Sequence, residues 1–373
     1  QAHGPCARPR RAPEAKVGEF GHEAARHGLE ADVAQRQVPV DDGALVQVRE
    51  GRAQRRGDAR GDGPRRRGVE PHAARHPRRH PMTSQTAWHA VAEFWPRADT
   101  SRFVRVGNID FHVQVSGAGE DVLLLHGAGA SAHSFARLAA RLSSRHRVIV
   151  PDLPGQGFTT LLPVEAVGLV PFANYLSELM VALEASPRWI IGHSAGAALA
   201  AQYALDTGTL PKGMLCINAA FNPFGSIAAP LFSKTAKWFA QSNWLPKALA
   251  SPALRWRATG SMLADTGSAV DSLTSRCYDV LLANPDHIAG TLRMMAGWDL
   301  PPLLRRLSSL QTPVWLAAAE GDRTIPPERS TSVANDLPLA RAMRIPGLGH
   351  LAHEENPELF DDLFQDLVAQ TTA

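Results

Sequence analysis

Five residues, Gly192-His193-Ser194-Ala195-Gly196, directly follow the apolar run Trp189-Ile190-Ile191. Small residues at both ends let a strand turn sharply into a helix, leaving a serine hydroxyl exposed at the bend with backbone N–H groups nearby. That is the placement of a nucleophile. The helix it needs is present: residues 195–204 are rich in alanine and slim enough to pack closely on a sheet.

Two further groups follow in the order that serine chemistry requires. The apolar run 313–319 reads as a buried strand and ends in the turn-rich loop 320–326, which carries Asp322. After a shorter strand at 340–345 comes Pro346-Gly347-Leu348-Gly349-His350, a loop with a histidine at its tip. Serine, aspartate, histidine is the chain order of the α/β-hydrolase triad. The expected roles are Ser194 as nucleophile, His350 as general base and then acid, and Asp322 as the group that fixes the imidazole tautomer. Each also has a plainer use, since Ser194 and Asp322 could cap helices and His350 could be a hydrogen-bonded loop residue. Their joint occurrence at three strand ends favours the triad.

The loop His126-Gly127-Ala128-Gly129-Ala130 follows another short apolar strand, 121–125. Its small residues let the backbone approach a bound group, so the N–H groups of Ala128 and Ala195 are assigned as donors to a tetrahedral oxyanion. A phosphate-binding loop is disfavoured, because neither the dinucleotide glycine spacing nor a lysine-serine ending is present.

To position these groups the sequence offers strands at 111–115, 122–125, 147–150, 188–191 and 213–217, with helices at 133–142 and 170–183 and after the serine. Continuous apolar strands between helices predict an α/β fold with a mostly parallel sheet covered on both faces. Asp152, in the turn 152–157, is expected to be a local structural carboxylate. Residues 219–299 break the rhythm and are expected to form a helical cap inserted after the sixth strand. Core residues are then 82–218 and 300–373. The insertion is rich in large apolar side chains, including Phe224, Phe232, Trp238, Phe239, Trp244, Trp256 and Met262. Phe221, Met294, Met295 and Trp298 are assigned to the substrate pocket.

Residues 1–81 differ in kind. They carry 16 Arg and one Lys against 11 acidic residues, so a chain of net charge +3 is net acidic beyond them. Without periodicity, and with Phe20 as their only aromatic residue, they read as a disordered or non-native upstream extension rather than a nucleic-acid arm, with the working protein starting at Met82. Cys6, Cys216 and Cys277 lack disulfide-framework or zinc spacing, which points to a reducing, cytoplasmic setting. No run is long and apolar enough for a membrane span. His350, His353, Glu354 and Glu355 do not complete a four-ligand metal set, and Glu355 is expected to brace the last helix.

In detail the chain resembles the α/β-hydrolase-fold magnesium-chelatase accessory proteins of bacteriochlorophyll biosynthesis. The resemblance spans residues 88–367. It is carried by SRFV at 101–104, HVQ at 112–114, LLHGAGA at 124–130, PDLPGQGFT at 151–159, GHSAGAA at 192–198, NAA at 218–220, MMAGWDL at 294–300 and GLGHLAHEE at 347–355. Departures fall at Ala128, Phe135 and Gln156, where threonine, tryptophan and histidine are expected. The resemblance implies a role beside the ATP-driven chelatase, with chelatase subunits as partners, protoporphyrin IX or Mg-protoporphyrin as ligand, and a place in the cytoplasm or at the periphery of the photosynthetic membrane. It cannot be the motor, having no Gly-Lys-Ser/Thr phosphate loop. The triad itself needs no cofactor. The residues alone allow a serine esterase on an apolar acyl substrate, or C–C bond hydrolysis with the same triad.

Overall fold

The computed structural model describes residues 84–208, 210–222, 242 and 244–372. Eight strands form one sheet: β1 (Ser101–Val106), β2 (Ile109–Ser116), β3 (Asp121–Leu125), β4 (Arg147–Pro151), β5 (Trp189–His193), β6 (Gly213–Ile217), β7 (Val314–Ala319) and β8 (Ala340–Ile345). Their order is β1-β2-β4-β3-β5-β6-β7-β8. β2 pairs antiparallel with β1 and β4, and every other pairing is parallel. The α/β fold with a mostly parallel sheet is therefore as the strand pattern predicts. The sequence pattern does not announce β1, whose Ser-Arg-Phe-Val-Arg-Val is neither a clean alternation nor an apolar run.

Every residue of β3, β5 and β6 is buried. Successive side chains on a strand point to opposite faces, so the sheet feeds two cores. Leu123, Leu125, Ile190, Met214 and Leu316 pack with α3 (Leu169–Ala182) and α4 (Ala195–Thr207). On the other face Val122, Leu124, Trp189, Ile191 and Trp315 pack with α2 (Ala136–Leu142) and α12 (Pro357–Thr372) through Phe135, Leu138, Phe360 and Phe364. Each such side chain contributes about 1.5–3 kcal/mol on burial.

α4 lies so close to the sheet that neither its second residue, Gly196, nor Gly192 of β5 has room for a side chain. A Cβ on Gly196 would sit 2.1 Å from the Leu125 carbonyl oxygen, and one on Gly192 2.6 Å from the Ala197 Cα. Gly196→Ala is expected to cost about 3 kcal/mol or more, since backbone must move to admit the methyl group. A chemical-denaturation midpoint equal to that of the parent would contradict this.

Between β6 and β7 the described residues form α5 (Leu245–Leu249), α6 (Pro252–Asp265), α7 (Ser272–Ala283), α8 (Pro285–Gly297) and α9 (Pro301–Leu304). Phe224, Phe232, Trp238 and Phe239 lie outside the described residues, as do residues 1–81 and the Trp256 side chain. The short α10 (Pro327–Ser332) and α11 (Ala352–Glu355) follow β7 and β8. The insertion reaches the core through its 266–268 turn. There the Thr266 carbonyl accepts from the His350 N–H at 2.9 Å, and Ser268 Oγ accepts from the Leu351 N–H at 2.8 Å.

Candidate active site

Ser194 occupies the step from β5 into α4 with φ 52° and ψ −119°, a conformation that costs a non-glycine residue about 1–3 kcal/mol. Three backbone bonds hold it there. Ser194 N–H donates to the Ile217 carbonyl at 2.9 Å, and the Ser194 carbonyl accepts from Ala197 and Ala220 at 3.1 Å each. The glycine loop after β3 lies directly opposite: a Cβ on Gly127 would be 3.0 Å from Ser194 Cβ. Among the described residues, the N–H groups of Ala128 and Ala195 donate to no protein acceptor.

Asp322, buried in the loop after β7, divides its two oxygens. Oδ1 accepts from the N–H groups of Thr324 and Ile325 at 2.7 and 2.8 Å, which fixes the carboxylate. Oδ2 meets His350 Nδ1 at 2.7 Å. Turn-capping and histidine-orienting are thus done by one residue. A carboxylate on Nδ1 leaves Nε2 as the nitrogen free for proton transfer.

Two residues not singled out from the sequence position His350 through its carbonyl. His193 Nε2 donates to it at 2.8 Å and Asn218 Nδ2 at 2.9 Å. Asn218 also accepts the Ala319 N–H at 2.7 Å, joining the ends of β6 and β7 to the histidine loop. Burial, then repulsion from His353 and His350, holds the His193 imidazole well below its ordinary range, so it stays neutral. The only advance signal was its place beside the serine.

Ser194 and His350 line the same cavity, of about 530 Å³, within the usual range for small-molecule sites. Gly127, Ala128, Gly129 and Ala130 form one wall, while α6, α7 and α8 supply Met262, Leu263, Tyr278 and Met295. The four residues assigned to the pocket fall in two places. Met295 lines this cavity, whereas Phe221, Met294 and Trp298 lie in the sheet core. Neighbouring residues on a helix point about 100° apart, so Met294 and Met295 cannot share a direction. Met294 turns inward, where its sulfur takes the Gln156 amide at 2.9 Å, and the Trp298 ring packs edge-on to Phe172.

Gln156 stands where the family pattern suggests histidine, and it has a definite task. Its Oε1 accepts the Gly129 N–H at 2.6 Å, so one amide ties the glycine loop to α8. Asp152 is a structural hub, accepting from His112 Nδ1 and from the N–H groups of Ala132 and Phe158. Glu355 braces the histidine loop rather than the last helix, accepting from the Gly349 and Ala269 N–H groups. Among the described residues no cluster is suited to a metal ion, and no helix is long and apolar enough to cross a membrane.

A serine at a strained strand-to-helix bend, a buried aspartate–histidine pair and a glycine loop thus meet around one cavity on an α/β sheet. The chain belongs to the alpha/beta hydrolase family, whose model matches residues 122–363. It is 41% identical over 267 residues to the magnesium-chelatase 30 kDa subunit of Rhodobacter capsulatus, covering 71% of this chain and 93% of that protein. The likeness read from the motifs is thereby borne out. A 2-hydroxy-6-oxo-6-phenylhexa-2,4-dienoate hydrolase of Burkholderia cepacia is 25% identical, over 72% of this chain and 96% of that one. Among solved structures, a thermophilic esterase from Thermogutta terrifontis shares the fold with a TM-score of 0.57 at 20% identity, covering 73% of this chain and 99% of that one.

Proposed function

We propose that this chain is an accessory protein for magnesium insertion into protoporphyrin IX, and that it contributes there as a serine hydrolase. The observation that carries the hydrolytic part is the 2.7 Å His350–Asp322 bond beside a cavity shared with Ser194. Identity with the R. capsulatus subunit over nearly all of that protein supports the pathway part.

In this reading the helices between β6 and β7 act as a cap over the serine. His350 Nε2 takes the Ser194 proton as the hydroxyl oxygen attacks a carbonyl carbon, and Asp322 stabilises the imidazolium so formed. The Ala128 and Ala195 N–H groups receive the oxyanion. His350 then protonates the leaving group, and water drawn through the same base releases the acyl group. The porphyrin or its magnesium form is the ligand expected under the cap, chelatase subunits are the expected partners, and the cytoplasm is the expected location. A second reading, an esterase acting on an apolar acyl substrate outside that pathway, draws on the largely aliphatic wall of Ala128, Met262, Leu263 and Met295.

Two mixing experiments test the proposal. A fluorophosphonate should label wild-type protein at Ser194 and leave Ser194→Ala unlabelled, and protoporphyrin IX fluorescence should be quenched at one equivalent. Labelling without quenching would favour the esterase. Quenching without labelling would leave a porphyrin carrier with an idle triad.

A further inference from the structure

Behind the triad lies a group of buried polar side chains that the reaction above does not use. Glu354, four residues past His350, points one carboxylate oxygen at two hydroxyls: Oε1 accepts from Ser134 at 2.5 Å and from Tyr278 at 2.7 Å. These donors come from different places. Ser134 sits in the turn that follows the glycine loop, and Tyr278 is a cavity-lining residue of α7 in the insertion. Ser134 Oγ also meets His353 Nε2 at 2.9 Å. The His353 ring lies 4.5 Å from that of His193, which lies 4.7 Å from that of His350. Hydrogen bonds thus run from Tyr278 on the cavity wall to His353, and adjoining imidazole rings continue the group to His350.

We propose that Glu354 is a positioning residue of the hydrolytic site, whose carboxylate holds Tyr278 and Ser134 together and so fixes the insertion and the glycine loop in register over Ser194. The inference rests on the hydrolytic reading given above. Its support is that packing alone does not call for a charge here. Glu354 Oε2 has no partner among the described residues, and no cation there pairs with the carboxylate. The Arg137 guanidinium goes to the Glu354 backbone carbonyl instead. His353, 4.0 Å away, is pushed down to about 3 by burial, as is His133, whose ring lies against Tyr278. Both stay neutral. Burial pushes the Glu354 carboxyl up to about 7 against the pull of Ser134 and Tyr278, with Asp271 and Glu355 adding to the rise. The Tyr278 phenol is held well above its usual range by burial and then by Glu354, so it remains a donor, and burial likewise keeps the neighbouring Cys277 thiol protonated. Above neutral pH the grip on Tyr278 is charge-assisted and strong; below it, the acid is neutral and the grip weakens.

Glu354→Gln and Tyr278→Phe, singly and together, would be compared with the parent on short p-nitrophenyl esters from pH 5.5 to 9. Each single change should lower kcat/KM roughly tenfold at pH 8, mainly through KM, as one charge-assisted hydrogen bond is lost. The Glu354→Gln deficit should vanish near pH 6, and the double variant should be no worse than Tyr278→Phe alone. Hydrogen exchange of the α7 amides should likewise quicken in Glu354→Gln at pH 8 and match the parent at pH 6. Superimposable pH profiles and unchanged exchange would overturn the assignment. Altered exchange in a protein whose Ser194 takes no fluorophosphonate would keep Glu354 in its role and remove the hydrolytic reading instead.

Discussion

Ser194→Ala is expected to lower acyl-ester turnover by about 10⁴-fold or more while leaving the unfolding midpoint nearly unchanged. Without the hydroxyl there is no acyl-enzyme, and the oxyanion donors and the cavity contribute only their residual effect. Stability should hold because the elbow is pinned through the Ser194 backbone, at Ile217, Ala197 and Ala220, none of which the change removes. Ligand binding under the insertion should survive for the same reason. A residual rate within tenfold of the parent, after contaminating esterase is excluded by active-site titration, would mean that another group performs the attack.

The second large effect is on stability. Asp152→Asn should cost about 3 kcal/mol or more, because it leaves buried hydrogen-bond donors without an acceptor. Oδ2 takes His112 Nδ1 and the Phe158 N–H, while Oδ1 takes the Ala132 N–H. An amide has only one acceptor oxygen, so its NH₂ must face a donor N–H. Burial drives this carboxyl up, but His112 and His126, with the Ala132 N–H, outweigh it and hold it below the ordinary range. Its stabilisation is therefore complete above the unfolded carboxylate value and is lost as pH falls through the depressed one. The sign is opposite at Glu354, where raising the carboxyl from 4.5 to about 7 erodes stability as pH climbs through that interval, by about 3 kcal/mol in all. Urea unfolding should thus show Asp152→Asn weaker than the parent at pH 7, and the parent losing more stability than Glu354→Gln between pH 5 and pH 8. An equal loss in the two proteins over that range would show that the acid is not desolvated as its surroundings imply.

What the sequence reveals follows from how local each signal is. β3 and β5 are continuous apolar runs and α4 is an alanine-rich helix, so their types can be read without a partner. The glycine spacings around Ser194 report a close backbone approach that any solution must satisfy. Asn218 and His193 were not legible as supports of His350, because both act on a carbonyl more than 130 residues away in the chain. Pocket residues were the least readable. Met294, Trp298 and Phe221 have the same apolar character whether they face a cavity or a sheet, and only the finished fold, through helix rotation in the case of Met294, separates them from Met295.

The parallel pairing of β6 with β7 fixes the two points where the chain leaves and re-enters the sheet: it leaves at Ile217, opposite Ala317, and re-enters a strand length away at Val314, opposite Met214. Closing a loop between fixed ends grows costlier only with the logarithm of its length, about 0.6 kcal/mol for each doubling. Lengthening, trimming or rewriting the stretch between them therefore places little thermodynamic burden on the sheet, while changing nearly half of the wall that a ligand meets. In such an architecture, reaction type and ligand choice are free to diverge at different speeds: the elbow is bound by backbone geometry, and the wall opposite it is not.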